Sequence, residues 1–416
     1  MTATPSASVH GQAFKPLSAT FAQNPYPDYA ALRDKGTPQF FADFDMWLVT
    51  RFDDVAAIAR DISMVRSPEF FMSEAEITEQ KRLQNWLDMP HHQRFVQFSM
   101  LDSDGEVHDR LRKQVFREFT PVFIARQRGM IQSFVDGLVD SLIDKGEIDF
   151  VEELAAQVPG HIIGRVLGVP DEDCPQLRVW SERVVQFFDI DRSDARKALA
   201  EQATTEFYHY LLELMAERRK APQEDLITRL IAAQDAGALN EDELVSTCML
   251  ILMAGHGSTI DVLGSGMHAL LRFPDQMARL KADPGLIHTA IQEMFRFESP
   301  LPFFHRYATN DAVVGGQSFP RGTKFGLLYG AANRDPAQFD NPDTFDVGRN
   351  PNRHLAFGGG AHFCLGNHLA RLDMEVIFTT LLKRLSSISL VDAEPQYKRG
   401  LSVRGPKVLR LALTPA

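Results

Sequence analysis

The pattern of hydrophobic and polar positions predicts a chain that is mostly helical, with short strands near its two ends. Apolar residues recur every three or four positions, as on one face of a helix, at 121–145, 150–167, 192–220 and 226–236. Short runs rich in β-branched and aromatic residues indicate strands at 39–41, 46–50, 312–314 and 408–413. The predicted fold class is therefore mainly α with a smaller β region.

The longest predicted helix runs through the middle of the chain. Asn240, followed three residues later by Glu243, is typical of a helix start, and Pro274 ends the pattern after Phe273. About 33 residues at ~1.5 Å each give a rod of ~50 Å. Residues 245–255 are apolar on nearly every side, so this helix should lie in the interior of the protein.

Composition places the chain among ordinary globular proteins. It has 416 residues, 44% of them hydrophobic and 24% charged, which suits a large core. A net charge of −11 argues against a nucleic-acid partner. The first twenty residues lack the apolar core of a signal peptide, and the dense apolar stretch 248–255 is far shorter than a ~20-residue membrane span. We expect a cytoplasmic monomer without membrane contact, built of a flexible segment, 1–20, and one domain, 21–416.

Cysteine chemistry narrows the class of protein. Cys174, Cys248 and Cys364 form no CxxC pair, which argues against structural zinc and a disulfide framework. Cys364 differs from the other two because it lies between a glycine-dense turn and a helix-forming run. The positive end of that helix and its free N–H groups should lower the pKa of the thiol and favour metal binding. A thiolate on haem iron is one way in which a single cysteine serves dioxygen activation, whereas a small buried apolar residue is the alternative interpretation.

The segment around Cys364 resembles the haem-binding signature of the cytochrome P450 family, F-G-x-G-x-H-x-C-x-G. The matching positions are Phe357, Gly358, Gly360, His362, Cys364 and Gly366. The resemblance extends over essentially the whole chain. It implies a helical triangular prism in which the long central helix crosses over haem b, with Cys364 as the proximal iron ligand.

Other motifs resemble the same family. Glu293 and Arg296 match its ExxR element, and Arg349 matches the arginine that completes this structural network. Taken alone, two charges three residues apart on a helix would be interpreted as an ordinary surface ion pair. The resemblance further implies that four residues hold the haem propionates: His108, Arg112, Arg306 and His362.

The central helix departs from the family pattern where dioxygen would bind. Five residues are predicted to line this oxygen site: Gly255, His256, Gly257, Ser258 and Thr259. The resemblance implies that Gly255 leaves room for dioxygen, and that a carboxylate followed by a threonine delivers protons. Those two positions hold Gly257 and Ser258 here. His256 could replace the missing acid, but adjacent helix positions face different directions, which favours a His256 that points away and packs.

Aromatic residues predict an apolar substrate pocket. The residues expected to contact substrate are Trp86, Phe95, Phe187, Phe188, Leu301, Phe303 and Phe304. Aromatic walls suit a small-to-medium apolar ligand, such as an aromatic or terpenoid compound. Core packing is an equally good interpretation of each of these residues taken singly.

The expected function is haem-thiolate monooxygenation, in which one atom of O2 enters an apolar substrate. The sequence contains no reductase or ferredoxin segment, so electrons should come from NAD(P)H through a separate ferredoxin reductase and ferredoxin. An acidic ferredoxin should dock on a basic strip formed by Arg110, Arg112, Lys113 and Arg117. Two alternatives stay open: a peroxide-using or O2-independent haem-thiolate enzyme, and a non-catalytic haem sensor or ligand carrier.

Overall fold

A computed structural model describes residues 14–392 and 394–416 of the chain. Its helices are α1 Ala19–Gln23, α2 Tyr26–Arg33, α3 Phe52–Arg60, α4 Glu74–Leu83, α5 Pro90–Gln97, α6 Gly105–Val115, α7 Pro121–Ala125, α8 Arg128–Leu142, α9 Gln157–Leu167, α10 Cys174–Gln186, α11 Asp194–Lys220, α12 Leu226–Asp235, α13 Glu241–Arg272, α14 Pro274–Ala282, α15 Ile287–Phe297, α16 Tyr329–Ala332 and α17 Asn367–Arg384. The strands are β1 Gln39–Phe41, β2 Met46–Val49, β3 Met64–Val65, β4 Glu147–Asp149, β5 Phe303–Ala308, β6 Ala312–Val314, β7 Gln317–Phe319, β8 Lys324–Leu328, β9 Leu385–Leu390 and β10 Arg410–Pro415.

Helix α13 has the limits that the sequence predicts. The Asn240 side chain accepts a hydrogen bond from the Glu243 N–H, and the Glu243 carboxylate accepts one from the Asn240 N–H, so two donors of the first turn are satisfied. This helix is long and apolar enough to cross a membrane by length and composition, but 78% of its most apolar window is buried inside the fold. It is therefore the central helix of the core, packed against α5, α9, α10, α11 and α15.

Two predicted helices are interrupted. The stretch 121–145 divides into α7 and α8: Thr120 caps the short first helix, its side chain accepting from the Phe123 N–H. That helix ends at Ala125, and a second helix begins at Arg128. The stretch 150–167 begins with a wider π turn, Phe150–Ala155. Pro159 has no N–H to offer the carbonyl of residue 155, so a regular α-helix cannot run through this point without losing a hydrogen bond.

The strands form a side layer that carries part of the site. The largest sheet has the order β1-β2-β8-β5-β3, with β2 and β8 parallel and the other neighbours antiparallel. A second sheet has the order β4-β10-β9, and β6 and β7 form a hairpin. In the largest sheet, β5 pairs with β8 so that Arg306 lies opposite Phe325 and Tyr307 opposite Lys324. Because successive residues of a strand face opposite sides of a sheet, Arg306 and Lys324 lie on opposite faces of this sheet.

The predicted flexible segment, 1–20, is described only in part. Residues 1–13 lie outside the described residues. Within the remainder, Phe14 packs edge-on against Phe21 and Phe41 at ring distances of 5.3 and 5.4 Å, and Ser18 caps α1 through a bond from the Phe21 N–H. Phe14 thus packs on the body of the protein, and the division at residue 20 stays a prediction.

Candidate active site

The loop that carries Cys364 is shaped by glycine. Gly358 and Gly360 have φ values of 71° and 65°, a region that side chains rarely adopt. A Cβ on Gly360 would also lie 2.6 Å from the Ala59 carbonyl oxygen. Within the loop, the Cys364 N–H donates to the Phe357 carbonyl at 2.9 Å, and the Asn367 side chain donates to the Cys364 carbonyl at 2.9 Å. The backbone conformation of the loop therefore explains why Gly358 and Gly360 are glycines.

Two opposing effects act on the Cys364 thiol. Burial raises its pKa and is the larger effect, while the N–H groups of Gly366 and Asn367 and the charges of Arg112 and Arg371 lower the pKa. The predicted lowering of the pKa by the helix end is present, but loss of water outweighs it, so the net shift of the thiol pKa in the chain alone is upward. The same donors and cations favour a sulfur bound to a metal ion, which replaces the proton.

Two histidines and two arginines gather beside the cysteine loop. The rings of His108 and His362 lie 4.5 Å apart, and the Arg112 guanidinium donates to the Phe363 carbonyl at 2.6 Å. Arg306 is 4% exposed, and its one hydrogen bond within the described chain goes to the His305 carbonyl. Burial lowers the pKa of Arg306 to about 10. A buried guanidinium with spare donors suits an incoming carboxylate, so these residues fit a haem with its two propionates.

Sequence reasoning missed Asp104 in this cluster. Its carboxylate pairs with His362 at 3.0 Å and accepts from the N–H groups of Arg66 and Ser67. Arg66 is itself buried and pairs with Asp102 at 2.6 Å. Two aspartates just before the helix that carries His108 were the available signal, because buried cations need anionic partners.

The ExxR pair is fully buried rather than on the surface. Glu293 and Arg296 are both 0% exposed and form two parallel hydrogen bonds of 2.7 and 2.8 Å. Arg349 adds a bond of 3.1 Å to Glu293. The remaining Arg296 donors bind the carbonyls of Asn333, Pro342 and Thr344. This network ties α15 to the segment 333–352, which leads into the cysteine loop.

The five predicted oxygen-site residues point in different directions. A Cβ on Gly255 would lie 2.8 Å from Ile163 of α9, so the small residue serves helix packing and not dioxygen. Helix geometry explains this correction, since a one-residue step turns the side chain by ~100°. The exposed position is Ala254, whose carbonyl accepts a hydrogen bond from the Ser258 hydroxyl at 3.3 Å. Thr259 is buried.

Gly257 borders open space, whereas His256 does not face it. A Cβ on Gly257 would meet nothing within 4 Å. The His256 ring presses against Gly160 of α9 and is 2% exposed, and burial lowers its pKa to about 4. It lines a separate cavity of about 290 Å³ together with residues such as Glu152 and Arg178. His256 thus points away from Ser258 and packs against α9, as the packing interpretation of the sequence expects.

Four of the predicted substrate contacts form one aromatic cluster. Trp86 lies 5.5 Å from Phe187 and 5.9 Å from Phe188, and Phe95 lies 6.5 Å from Phe188. His92, which the sequence did not single out, packs between them, 5.3 Å from both Trp86 and Phe188.

The other three predicted contacts do not join that cluster. Phe303 packs in a core cluster with Tyr29, Met46 and Leu328, so its assignment to the pocket is replaced by core packing. Side chains alternate along β5, and Phe304 accordingly faces elsewhere, under Arg66 at 5.4 Å. Leu301 is half-buried in the loop before β5.

The fold is mostly helical, and its candidate site is a cysteine loop with two arginines acting on the sulfur. The family model described as cytochrome P450 matches residues 285–412. The polyketide biosynthesis cytochrome P450 PksS of Bacillus subtilis is 34% identical over 96% of this chain and 98% of its own length. The biotin biosynthesis cytochrome P450 of the same organism is 36% identical over 92% and 94%. The solved structure of CalO2 superposes with a TM-score of 0.89 at 30% identity, covering 97% of this chain and 99% of that one.

The chain belongs to the cytochrome P450 family. The fold class and the family resemblance are thereby confirmed, and membership implies a haem held by a cysteine thiolate and a monooxygenase type of enzyme.

Proposed function

We propose that the protein is a haem-thiolate monooxygenase that inserts one atom of O2 into a small-to-medium apolar substrate. The observation that carries this proposal is the Cys364 loop, in which two backbone N–H groups and two arginines act on one sulfur. When bound there, haem supplies the redox chemistry of oxygen activation. In this proposal Cys364 holds the iron, while His108, Arg112, Arg306 and His362 hold the propionates.

Several residues keep the sulfur in place without touching the reacting atoms. Phe357 packs on Phe295 at 4.5 Å, and the Arg371 guanidinium lies over the Phe357 ring at 4.2 Å. The network of Glu293, Arg296 and Arg349 fixes the segment before the loop.

The proposed oxygen side of the site is the open stretch of α13 around Ala254, Gly257 and Ser258. Ser258 is the side chain that can hold or move a proton there, because His256 faces α9. Gly257 leaves a gap that water can fill. Proton supply then depends on water and one hydroxyl, and we expect slow or poorly coupled turnover that releases peroxide.

The proposed substrate is apolar, and the aromatic cluster around Trp86 forms part of its wall. The names of relatives support a substrate with a long apolar part, since PksS is named for polyketide biosynthesis. P450BioI was solved with hexadec-9Z-enoic acid ligated acyl carrier protein, and a myxobacterial cytochrome P450 was solved with myristic acid. Turnover of such compounds with NAD(P)H, ferredoxin and ferredoxin reductase tests the proposal. A chain that binds haem and ligand but yields no oxygenated product would instead be a sensor or carrier.

Gly257→Glu is expected to raise the product formed per NAD(P)H consumed and to lower peroxide release. The gap beside Gly257 accommodates the side chain, and positioned acids commonly contribute ~10²–10⁴-fold to proton transfer. Gly257→Gln is the matched control, because it has the same size without the acid and should leave coupling low. If both variants weaken substrate binding equally, the gap is part of the substrate pocket and the proton account is wrong.

A peroxide-using enzyme is the second candidate, and the missing acid at Gly257 favours it. Peroxide brings both oxygen atoms and the protons with it, so an enzyme of this type needs no acid for proton supply. Product formation from hydrogen peroxide at a rate that matches or exceeds the NAD(P)H-driven rate would support this candidate. A far slower peroxide reaction would leave monooxygenation as the function.

We propose that an acidic ferredoxin docks on the exposed part of the basic strip. Lys113 and Arg117 are exposed and form no ion pair within the described chain, whereas Arg110 is held by Glu243 at 2.6 Å. Arg110 is therefore a poor probe of docking, since Arg110→Glu would disturb the cap of α13. Charge reversal of Lys113 and Arg117 should slow reduction about tenfold or more at low salt. Electrostatic steering of the acidic ferredoxin weakens when these positive charges are reversed, and it weakens as ionic strength rises.

Stopped-flow reduction by ferredoxin across a salt series measures this effect. Lys407→Glu is the control, because this exposed lysine belongs to the segment before β10 and not to α6. A reduction rate that is indifferent both to salt and to the Lys113 and Arg117 reversals would refute the docking surface.

A further inference from the structure

A second group of cations contains Lys324 and Arg192, neither of which is among the proposed propionate partners. Lys324 begins β8, is 8% exposed, and places its ammonium 5.8 Å from the Tyr307 ring. It makes no ion pair or side-chain hydrogen bond within the described chain. Arg192 precedes α11, and its guanidinium lies 5.1 Å from the Trp86 ring and 5.8 Å from the Phe44 ring.

These cations have too few anionic partners. Arg192 donates to the Gln84 side chain at 2.7 Å, but its Nε is buried without a partner. The carboxylate of Asp189 acts on Arg192, yet it already accepts from the backbone N–H groups of Leu401 and Ser402. Lys324 is buried without an ion pair, and Arg192 is partly buried with an unsatisfied Nε. Because unpaired buried cations are costly, a bound anion is the simplest way to satisfy both side chains.

The pKa of Lys324 also reflects the shortage of anionic partners. Burial, followed by the like charges of Arg192 and Arg66, lowers the pKa of Lys324 to about 7, and Asp45 offsets this only in part. Asp45 is exposed and lies beyond ion-pair distance. The Trp86 indole N–H adds another buried donor without a partner. Arg192 thus links the two ends of this group: its charge acts on Lys324, and its guanidinium lies 5.1 Å from the ring of Trp86.

We propose that Arg192, Lys324 and the indole N–H of Trp86 bind the carboxylate end of the apolar substrate. A carboxylate accepts through two oxygens and suits the fork of an arginine. Trp86 belongs both to this group and to the aromatic cluster assigned to the substrate pocket, so the anionic and apolar parts are continuous. The inference rests on the proposed function and gives its substrate a chemical class: apolar carboxylic acids.

Calorimetric titration of the holoprotein with dodecanoate and with 1-dodecanol tests this site. The two probes share their chain and differ in the charged end. We expect dodecanoate to bind about tenfold or more tightly, as for hydrogen bonds to a charged group. Lys324→Met and Arg192→Gln should each bring the two affinities close to parity. Lys324→Met should also raise the melting temperature of the ligand-free protein, because it removes an unpaired buried cation.

Lys398→Met is the matched control. The Lys398 ammonium pairs with the buried Asp261 at 2.6 Å, so its loss should lower the melting temperature and leave the preference for dodecanoate intact.

Equal affinity for the two probes in the unaltered protein, no binding of dodecanoate, or a preference that survives both variants overturns the proposal. Sulfate binding that depends on Lys324, without a preference for dodecanoate, also overturns it in favour of a free-anion site. The carbon monoxide difference spectrum of the same samples reports separately on the thiolate-bound haem.

Discussion

Cys364→Ala is expected to yield protein without thiolate-ligated haem. The sulfur of Cys364 receives two backbone N–H groups and lies near two arginines, and alanine offers no atom to replace the metal ligand. The carbon monoxide difference spectrum of the reduced protein should lose its thiolate-type Soret band completely. Oxygenation driven by NAD(P)H should fall to background with it.

The other two cysteines provide matched controls. Burial raises the pKa of Cys174 to about 11 and raises that of Cys248 still further, and no backbone donor offsets either shift. Cys174→Ser and Cys248→Ser should therefore keep the thiolate band, whatever they cost in core packing. A thiolate band that persists in Cys364→Ala, or one that disappears in either control, would contradict the assignment of the iron ligand.

Arg296→Ala is expected to destabilise the protein by about 3–5 kcal/mol, the usual cost of breaking a buried ion pair from one side. It leaves the buried Glu293 with Arg349 as its one cationic partner within the described chain, and it removes the Arg296 donors from three backbone carbonyls. A domain typically has only ~5–15 kcal/mol of stability. We expect a large fall in the urea midpoint and in the haem content of purified protein.

The pair Glu79 and Arg82 is the control for this change. It has the same three-residue spacing and a distance of 2.7 Å, but both side chains are more than half exposed. Arg82→Ala should leave the urea midpoint close to that of the unaltered protein, because exposed ion pairs contribute little to stability. Arg296→Lys tests the fork geometry, because a lysine cannot reproduce the bidentate contact. If Arg296→Ala unfolds at the same urea concentration as Arg82→Ala, the network does not hold the cysteine loop region.

Features that depend on a few neighbouring residues were predictable from the sequence. The cap at Asn240 and the stop at Pro274 set the limits of α13, and the glycines before Cys364 set a turn that other residues would strain. Each of these depends on backbone chemistry within a few residues. The family resemblance then supplied the ExxR pair, whose burial two charges three residues apart do not reveal by themselves.

Features that depend on packing between distant segments were not predictable. Gly255 was assigned to the oxygen site, but its small size serves contact with Ile163, which belongs to another helix. Phe303 was assigned to substrate, but strand alternation turns it into the core. Arg110 was assigned to the ferredoxin-docking strip, but in the fold its guanidinium pairs with Glu243 of α13. The pKa of Cys364 was predicted from the helix end alone, whereas burial by the whole fold decides its direction.

Turnover under isotopically heavy dioxygen tests monooxygenation most directly. Candidate substrates are first found by their shift of the visible spectrum of the holoprotein, with dodecanoate as the first probe. The protein is then turned over with NAD(P)H, ferredoxin and ferredoxin reductase, and the product is analysed by mass spectrometry. We predict that each product molecule carries one heavy oxygen atom, and that Cys364→Ala gives none. Product without heavy oxygen, or product formed equally well without dioxygen, would contradict the proposed function.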